Sequence, residues 1–328
     1  MNLLNIKFTS LLLAAALFVS TAGMATHARQ DNPSAETEEQ TAEQTIAAEA
    51  NALVSVCVES GNITVHGWDR NEVHARSTDA GRIELRRMGA SSANGPASRL
   101  VVLMSDSDDE EHAMPRGDCS ASGNVELDIP RGATIKLRTR SGDIHVADVS
   151  EAHIDTLSGD ISVRHAANGI EASSVSGDLT LSDSDGRVRA HSISGEVSAT
   201  NMRPVRESDE FVAKSVSGDV RLEQVGHTRV EAGTVSGDVS LTGPLARGGV
   251  YDFKTTNGDV TLTLPGDSSF RINAVVAESG SIAISGFPIK ETGTPGNNSA
   301  RRVTGVYGTG DATLNLSSFS GTLYLRRK

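Results

Sequence analysis

Seven acidic side chains stand in one register of a repeating sequence: Asp143, Asp160, Asp178, Glu196, Asp219, Asp238 and Asp259. Stacked in space they would form a column of carboxylates, and calcium is a hard cation that takes such oxygen ligands. The calcium-binding nonapeptide roll, however, is built on Gly-Gly-x-Gly-x-Asp, a pattern absent from this chain. The alternative is structural: each carboxylate caps its own turn and accepts backbone N–H groups there. We expect the structural use and assign no metal, cofactor or catalytic residue. Glycoside hydrolysis needs two acids facing each other across a cleft, whereas this repeat spaces its acids evenly, and Trp68 is the only tryptophan available as a sugar platform. The histidines, among them His66, His74, His145, His153, His165, His191 and His227, never form H-E-x-x-H or a similar ligand spacing. A polysaccharide-active β-helix enzyme, a lyase or hydrolase, therefore stands as the alternative to a non-catalytic module.

The acids are positioned by a tripeptide that returns down most of the chain. Its glycines are Gly142, Gly159, Gly177, Gly195, Gly218, Gly237 and Gly258, spaced 17, 18, 18, 23, 19 and 21 residues apart. An alternating apolar pair follows each, from Ile144/Val146 through Leu179/Leu181 to Val260/Leu262. Five and seven residues before the glycine stand pairs such as Ala172/Ile170 and Ala232/Val230. Two before it stand Leu157, Val175, Ile193, Val216 and Val235. Period two on both sides of a turn means strands. Counting all five apolar positions as inward requires the alternation to slip once, between the fifth and second residues before glycine, which predicts a bulge or corner there.

A unit of this length cannot bury a core alone, so neighbouring coils must stack. The predicted fold is all-β: a parallel β-solenoid, β-helix-like, of roughly 17–23-residue coils. An irregular N-terminal sheet is expected around Val73, Ile83 to Leu85 and Leu100 to Leu103. At the other end, Val303 to Lys328, a final strand pair around Ser320-Gly321-Thr322, is expected to cover the open end.

The N-terminus reads as a signal peptide over residues 1–28. Lys7 precedes the apolar run Leu11 to Val19, and Gly23/Ala25 or Thr26/Ala28 offer small residues for cleavage. An uncleaved anchor is the alternative. Residues 29–50 are rich in Glu, Gln, Ala and Thr and predict a flexible acidic linker; the solenoid domain is expected over 51–328. No later run approaches the length of a transmembrane helix. A net charge of −12 leaves no basic stripe for phosphates, which argues against a nucleic-acid partner. The acidic run Asp106, Asp108, Asp109, Glu110, Glu111 reads as a solvated loop. Cys57 and Cys119 each lie four residues before the glycine of a degenerate copy, Gly61 and Gly123. In an exported chain two cysteines point to a disulfide; two free buried thiols are the alternative.

Three stretches together resemble the bacterial putative-adhesin β-strand-repeat family, a domain of unknown function. They are Ser60 to Arg70 with its Gly67-Trp68-Asp69 turn, the Ser-Gly-Asp ladder, and the closing run Val303 to Leu314. The resemblance covers roughly residues 51–328. It implies a β-solenoid-like fold in an exported or envelope-associated protein, implies no activity and brings no functional residues; the chain is expected to be an exported, non-catalytic structural or adhesion-type interaction module, periplasmic or at the cell surface. The expected partner is an envelope protein or glycan, met by a long regular surface of Ser, Thr, Asp and Arg.

Overall fold

The computed structural model describes residues 43–79, 82–88, 95–105, 119, 121–277, 280–291 and 301–328. The leader, most of the expected linker and the acidic run Asp106–Glu111 lie outside them. Glu39–Lys328 forms one compact unit. Among the described residues all regular structure is strand, and most strands pair in parallel, so the expected all-β parallel solenoid is what the chain builds.

One coil shows how the sequence does this. Gly169–Ser176 is a long strand, Ser176-Gly177-Asp178 turns the corner, Leu179–Ser182 is a short strand, and the chain then returns to begin Arg187–Ser194. From Thr134 to Leu264 long strands pair with long strands and short with short, giving two sheets with the core between them. The register is strict: Ile170 sits opposite Val188 and Ala152, and Leu181 opposite Ala199 and Val163. Each apolar position therefore becomes an apolar column, and the columns from Ile144/Val146 to Val260/Leu262 are at most 2% exposed.

Glycine is required at the corner by close approach. A Cβ on Gly159 would collide with the carbonyl oxygen of Gly142, one on Gly177 with that of Gly159, and so on in an unbroken column. That column gives the stacking order: Gly123, Gly61, Gly142, Gly159, Gly177, Gly195, Gly218, Gly237, Gly258, Gly321, Gly280. In the middle, chain order and stacking order agree. At both ends they do not.

The Gly61 coil inserts between the later Gly123 coil and Gly142, so the long strand Glu43–Ser60 lies between Ala97–Ser105 and Thr134–Ser141. The Gly321 coil inserts between Gly258 and Gly280, with Ala312–Ser320 between Val250–Asn257 and Phe270–Val276. This corrects the expectation for the C-terminus. Leu314, Leu316, Leu323 and Leu325 are buried on both sides rather than covering the end. The outer positions go to Phe270–Val276 and Ser281–Ser285, the former closed by the antiparallel Arg301–Tyr307. At the opposite end the antiparallel partner is Arg82–Arg87.

Two further readings are corrected. Glu43–Ala50, expected as linker, is strand: Glu43–Ala47 pairs antiparallel with Glu72–Arg76 before the chain crosses to the long-strand sheet. Backbone pairing and the burial of Ala48 and Ala52 suffice where composition alone offered little to bury. The second correction concerns the alternation. It does not slip inside the long strand; it runs through as Ile170, Ala172, Ser174 and slips at the corner itself. In eight coils the inward residue three before the glycine is a buried hydroxyl, namely Thr139, Thr156, Ser174, Ser192, Ser215, Thr234, Thr255 and Ser318, whereas before Gly61 it is Val58. The apolar residues two before glycine point outward.

The hydroxyls are polar for a reason. A buried carbonyl at the corner needs a donor, and Ser215, Thr234, Thr255 and Ser318 donate to the carbonyl oxygens of Gly195, Gly218, Gly237 and Gly258 at 2.8–3.1 Å.

Candidate interaction face

The corner acids are engaged with the neighbouring coil. Asp143 Oδ1 accepts the backbone N–H of Asp160 at 2.9 Å, Asp160 that of Asp178 at 2.8 Å, and Asp178 that of Glu196 at 2.8 Å. Asp219 and Asp238 do the same for Asp238 and Asp259, and Asp259 for Thr322. Asn62 and Asn124 extend the ladder downward, ending on Asp79. Six of the seven carboxylates thus accept from the next coil, not from their own turn as expected. The ladder has one interruption. Glu196 is longer by a methylene, and Arg221 bridges it to Asp219 instead. This falls in the 23-residue step, where the turn at Val205 and Arg206 is closed by the buried Asp209 carboxylate.

Beside this saturated column lies an unsaturated one. Leu157, Val175, Ile193, Val216 and Val235 are 39–53% exposed. They occupy one register of the long-strand sheet, immediately before paired residues Ser158, Ser176, Ser194, Ser217 and Ser236. At about 4.8 Å per coil the ridge runs roughly 19 Å. Thr256 follows it, and Phe319, 49% exposed, stands one coil further. Isolated exposed apolar residues are ordinary, but here five β-branched and Leu side chains stand in one contiguous row. A hollow of about 360 Å³ lined by Cys119, Arg138, Arg140, Asp155 and Leu157 opens at its lower end.

The outer face of the short-strand sheet is polar. His66 lies between Asp128 and Asp148 at 3.7 and 3.6 Å, His165 is 3.5 Å from Asp148, and His74 sits between Asp128 and Glu43. Arg131 reaches Asp69 and Asp148 at 3.0 and 2.9 Å. Histidines far apart in sequence are thereby interleaved with carboxylates, a grouping invisible without the stacking order. Among the described residues no His, Cys, Asp or Glu group is arranged to hold a metal ion. A groove of about 540 Å³ along the returns holds one carboxylate, Glu223, with Lys328, Asn201 and Gln224.

His227 is fully buried. Its Nε2–H donates to the Gly186 carbonyl at 2.7 Å, its ring meets Phe211 edge-on, and Nδ1 has no partner among the described residues. Burial pushes its pKa below the ordinary imidazole value, against the Gly186 bond and the charges of Asp209 and Asp185. Cys57 and Cys119 are joined as a disulfide with Cα atoms 5.0 Å apart, linking the adjacent Gly61 and Gly123 coils. Those coils also pair through Ser60 and Ser122 and through Ile63–Trp68 with Val125–Pro130.

Two parallel sheets, strict register and a glycine corner in every coil define a β-solenoid repeat protein. The chain belongs to the Toastrack DUF4097 family, whose model matches residues 20–215 and again 153–326, in keeping with the resemblance in the sequence. No curated protein matches it. A solved structure titled as a "putative cell adhesion protein" from Clostridium sporogenes aligns over 88% of this chain and 100% of its own, with 10% identity and a TM-score of 0.23. No helix among the described residues is long and apolar enough to cross a membrane.

Proposed function

We propose that the chain is an exported, non-catalytic β-solenoid serving as a structural or adhesion-type interaction module at the bacterial cell envelope. The observation that carries this reading is the ridge Leu157–Val175–Ile193–Val216–Val235, exposed and uncovered among the described residues. The corner carboxylates support it from the other side, because they are held by backbone N–H groups rather than presented to a substrate. The leader read in residues 1–28 and the Cys57–Cys119 bridge fit an oxidising compartment.

The test is capture from envelope extract, with glycan and peptidoglycan arms, using the protein and its Val216→Asp variant. Specific capture that the variant loses supports the proposal. Turnover of a polysaccharide, or capture indifferent to the ridge, overturns it.

A further inference from the structure

The ridge has a geometry that selects among partners. Its side chains recur once per coil, about 4.8 Å apart, whereas alternate residues of an extended strand recur at about 6.7 Å. A second solenoid presents rows at the matching spacing. The flanking columns then decide how two ridges meet. On the row four before the glycine stand Asp155 at one end and Lys254 at the other. Two residues further out stand His153 and Asp252.

We infer that the ridge is a self-association surface on which a second copy of this chain docks face to face with its coils running in the opposite direction. The inference rests on the ridge being the contact surface proposed above. Placing the two-fold axis between Ile193 and Val216 sets Ile193 against Val216, Val175 against Val235, and Leu157 against Thr256. The same axis sets Asp155 against Lys254 and His153 against Asp252, each contact occurring twice, as an isologous interface demands. Lys254 is exposed and has no ionic partner among the described residues. Asp155 is exposed, with Arg138 at 3.5 Å. Glu171 and Glu231 would face each other, but each already has a basic neighbour on its own chain, His153 and Lys214 respectively. Six coils, five with eight-residue strands and one with the five-residue Glu210–Lys214, present about 700 Å² per copy, close to the roughly 800 Å² per partner of a standard interface.

The experiment is sedimentation of the protein, purified from the cells that make it, across a concentration series into the micromolar range. The expected result is a reversible dimer. Val216→Asp should weaken it by at least roughly 100-fold with an unchanged melting temperature. Asp155→Lys and Lys254→Asp should each weaken it, and the two together should restore it, because the swapped charges meet across the two-fold axis. These exposed positions keep the test informative should Val216→Asp misfold.

A monomer at every concentration overturns self-association. If the monomer still captures an envelope component through the ridge, the proposed function stands without it. A dimer unaffected by Val216→Asp and by either charge reversal places the interface elsewhere. A double reversal that fails to restore the dimer overturns the two-fold arrangement.

Discussion

The corner column and the ridge lie three positions apart in every coil and repeat with the same period, yet they are built on opposite terms. At the corner, carboxylates accept N–H groups from the next coil, buried hydroxyls donate to glycine carbonyls, and each glycine admits the backbone beneath it. On the ridge, large apolar side chains face outward and meet no cover within the described chain. A residue can recur because each coil must grip its neighbour, or because each coil faces something beyond the stack. Repetition alone does not separate these cases. Finding where each group's partner sits does.

The largest break in this contrast should come from Gly218→Ala. An added methyl there would collide with the carbonyl oxygen of Gly195, which is backbone and cannot swing aside. We expect a loss of at least about 3 kcal/mol, read by urea unfolding. A loss below about 1 kcal/mol, the ordinary propensity range, would mean that the corners are not packed as described.

Much of the fold was legible in the sequence because turn and strand positions repeat. Gly177, the Leu179/Leu181 pair and the Ile170/Ala172 pair were each assigned to the element they occupy. The error at Val175 and Ser174 had a physical origin. Hydrophobicity places the valine in the interior, but the strand's alternation continues unbroken past Ile170 and Ala172, so Ser174 turns in and Val175 turns out. The inserted end coils were hidden for another reason. The Gly61 and Gly321 corners are chemically like the others, so local pattern cannot show that chain order and stacking order diverge. The ridge was thus concealed by the same rule that made the core legible.

A second prediction uses a buried imidazole whose Nδ1 lacks a partner among the described residues. His227 is held neutral by burial, so its folded pKa lies below the unfolded value of about 6.5. Between the two values the unfolded chain binds the extra proton. The stabilisation is therefore complete above about pH 6.5 and is lost as pH falls toward the folded pKa, at up to about 1.4 kcal/mol per pH unit. His191, on the outer face, shifts in the same direction through partial desolvation and the charges of Lys214 and Arg189. His227→Gln separates the two, since the amide can still donate to Gly186. Melting curves between pH 7 and pH 5 should be flatter for the variant, and parallel curves would reject the assignment.

The hydroxyl column carries its own control. Ser215 Oγ donates to Gly195 at 2.9 Å, whereas Ser174 Oγ, at the equivalent position, has no partner among the described residues. Ser215→Ala should cost about 1 kcal/mol through the orphaned carbonyl, and Ser174→Ala close to nothing. Equal losses would show that these hydroxyls stabilise by packing rather than by satisfying the corner.

The smallest effect on stability is expected on the ridge. Val216→Thr keeps the branched shape that suits a strand and replaces one methyl by a hydroxyl. On an outward position this should change the unfolding free energy by no more than about 0.5 kcal/mol. Were Val216 packed inside its own coil, as its hydrophobicity suggested, the buried hydroxyl would lack a partner and cost about 1–3 kcal/mol. The double variant Val175→Thr and Val216→Thr sharpens the contrast, because the residues lie two coils apart and their effects should add. An unchanged melting temperature combined with weakened capture or self-association would locate the role of the ridge outside the chain. A clear loss of stability would return these side chains to the core.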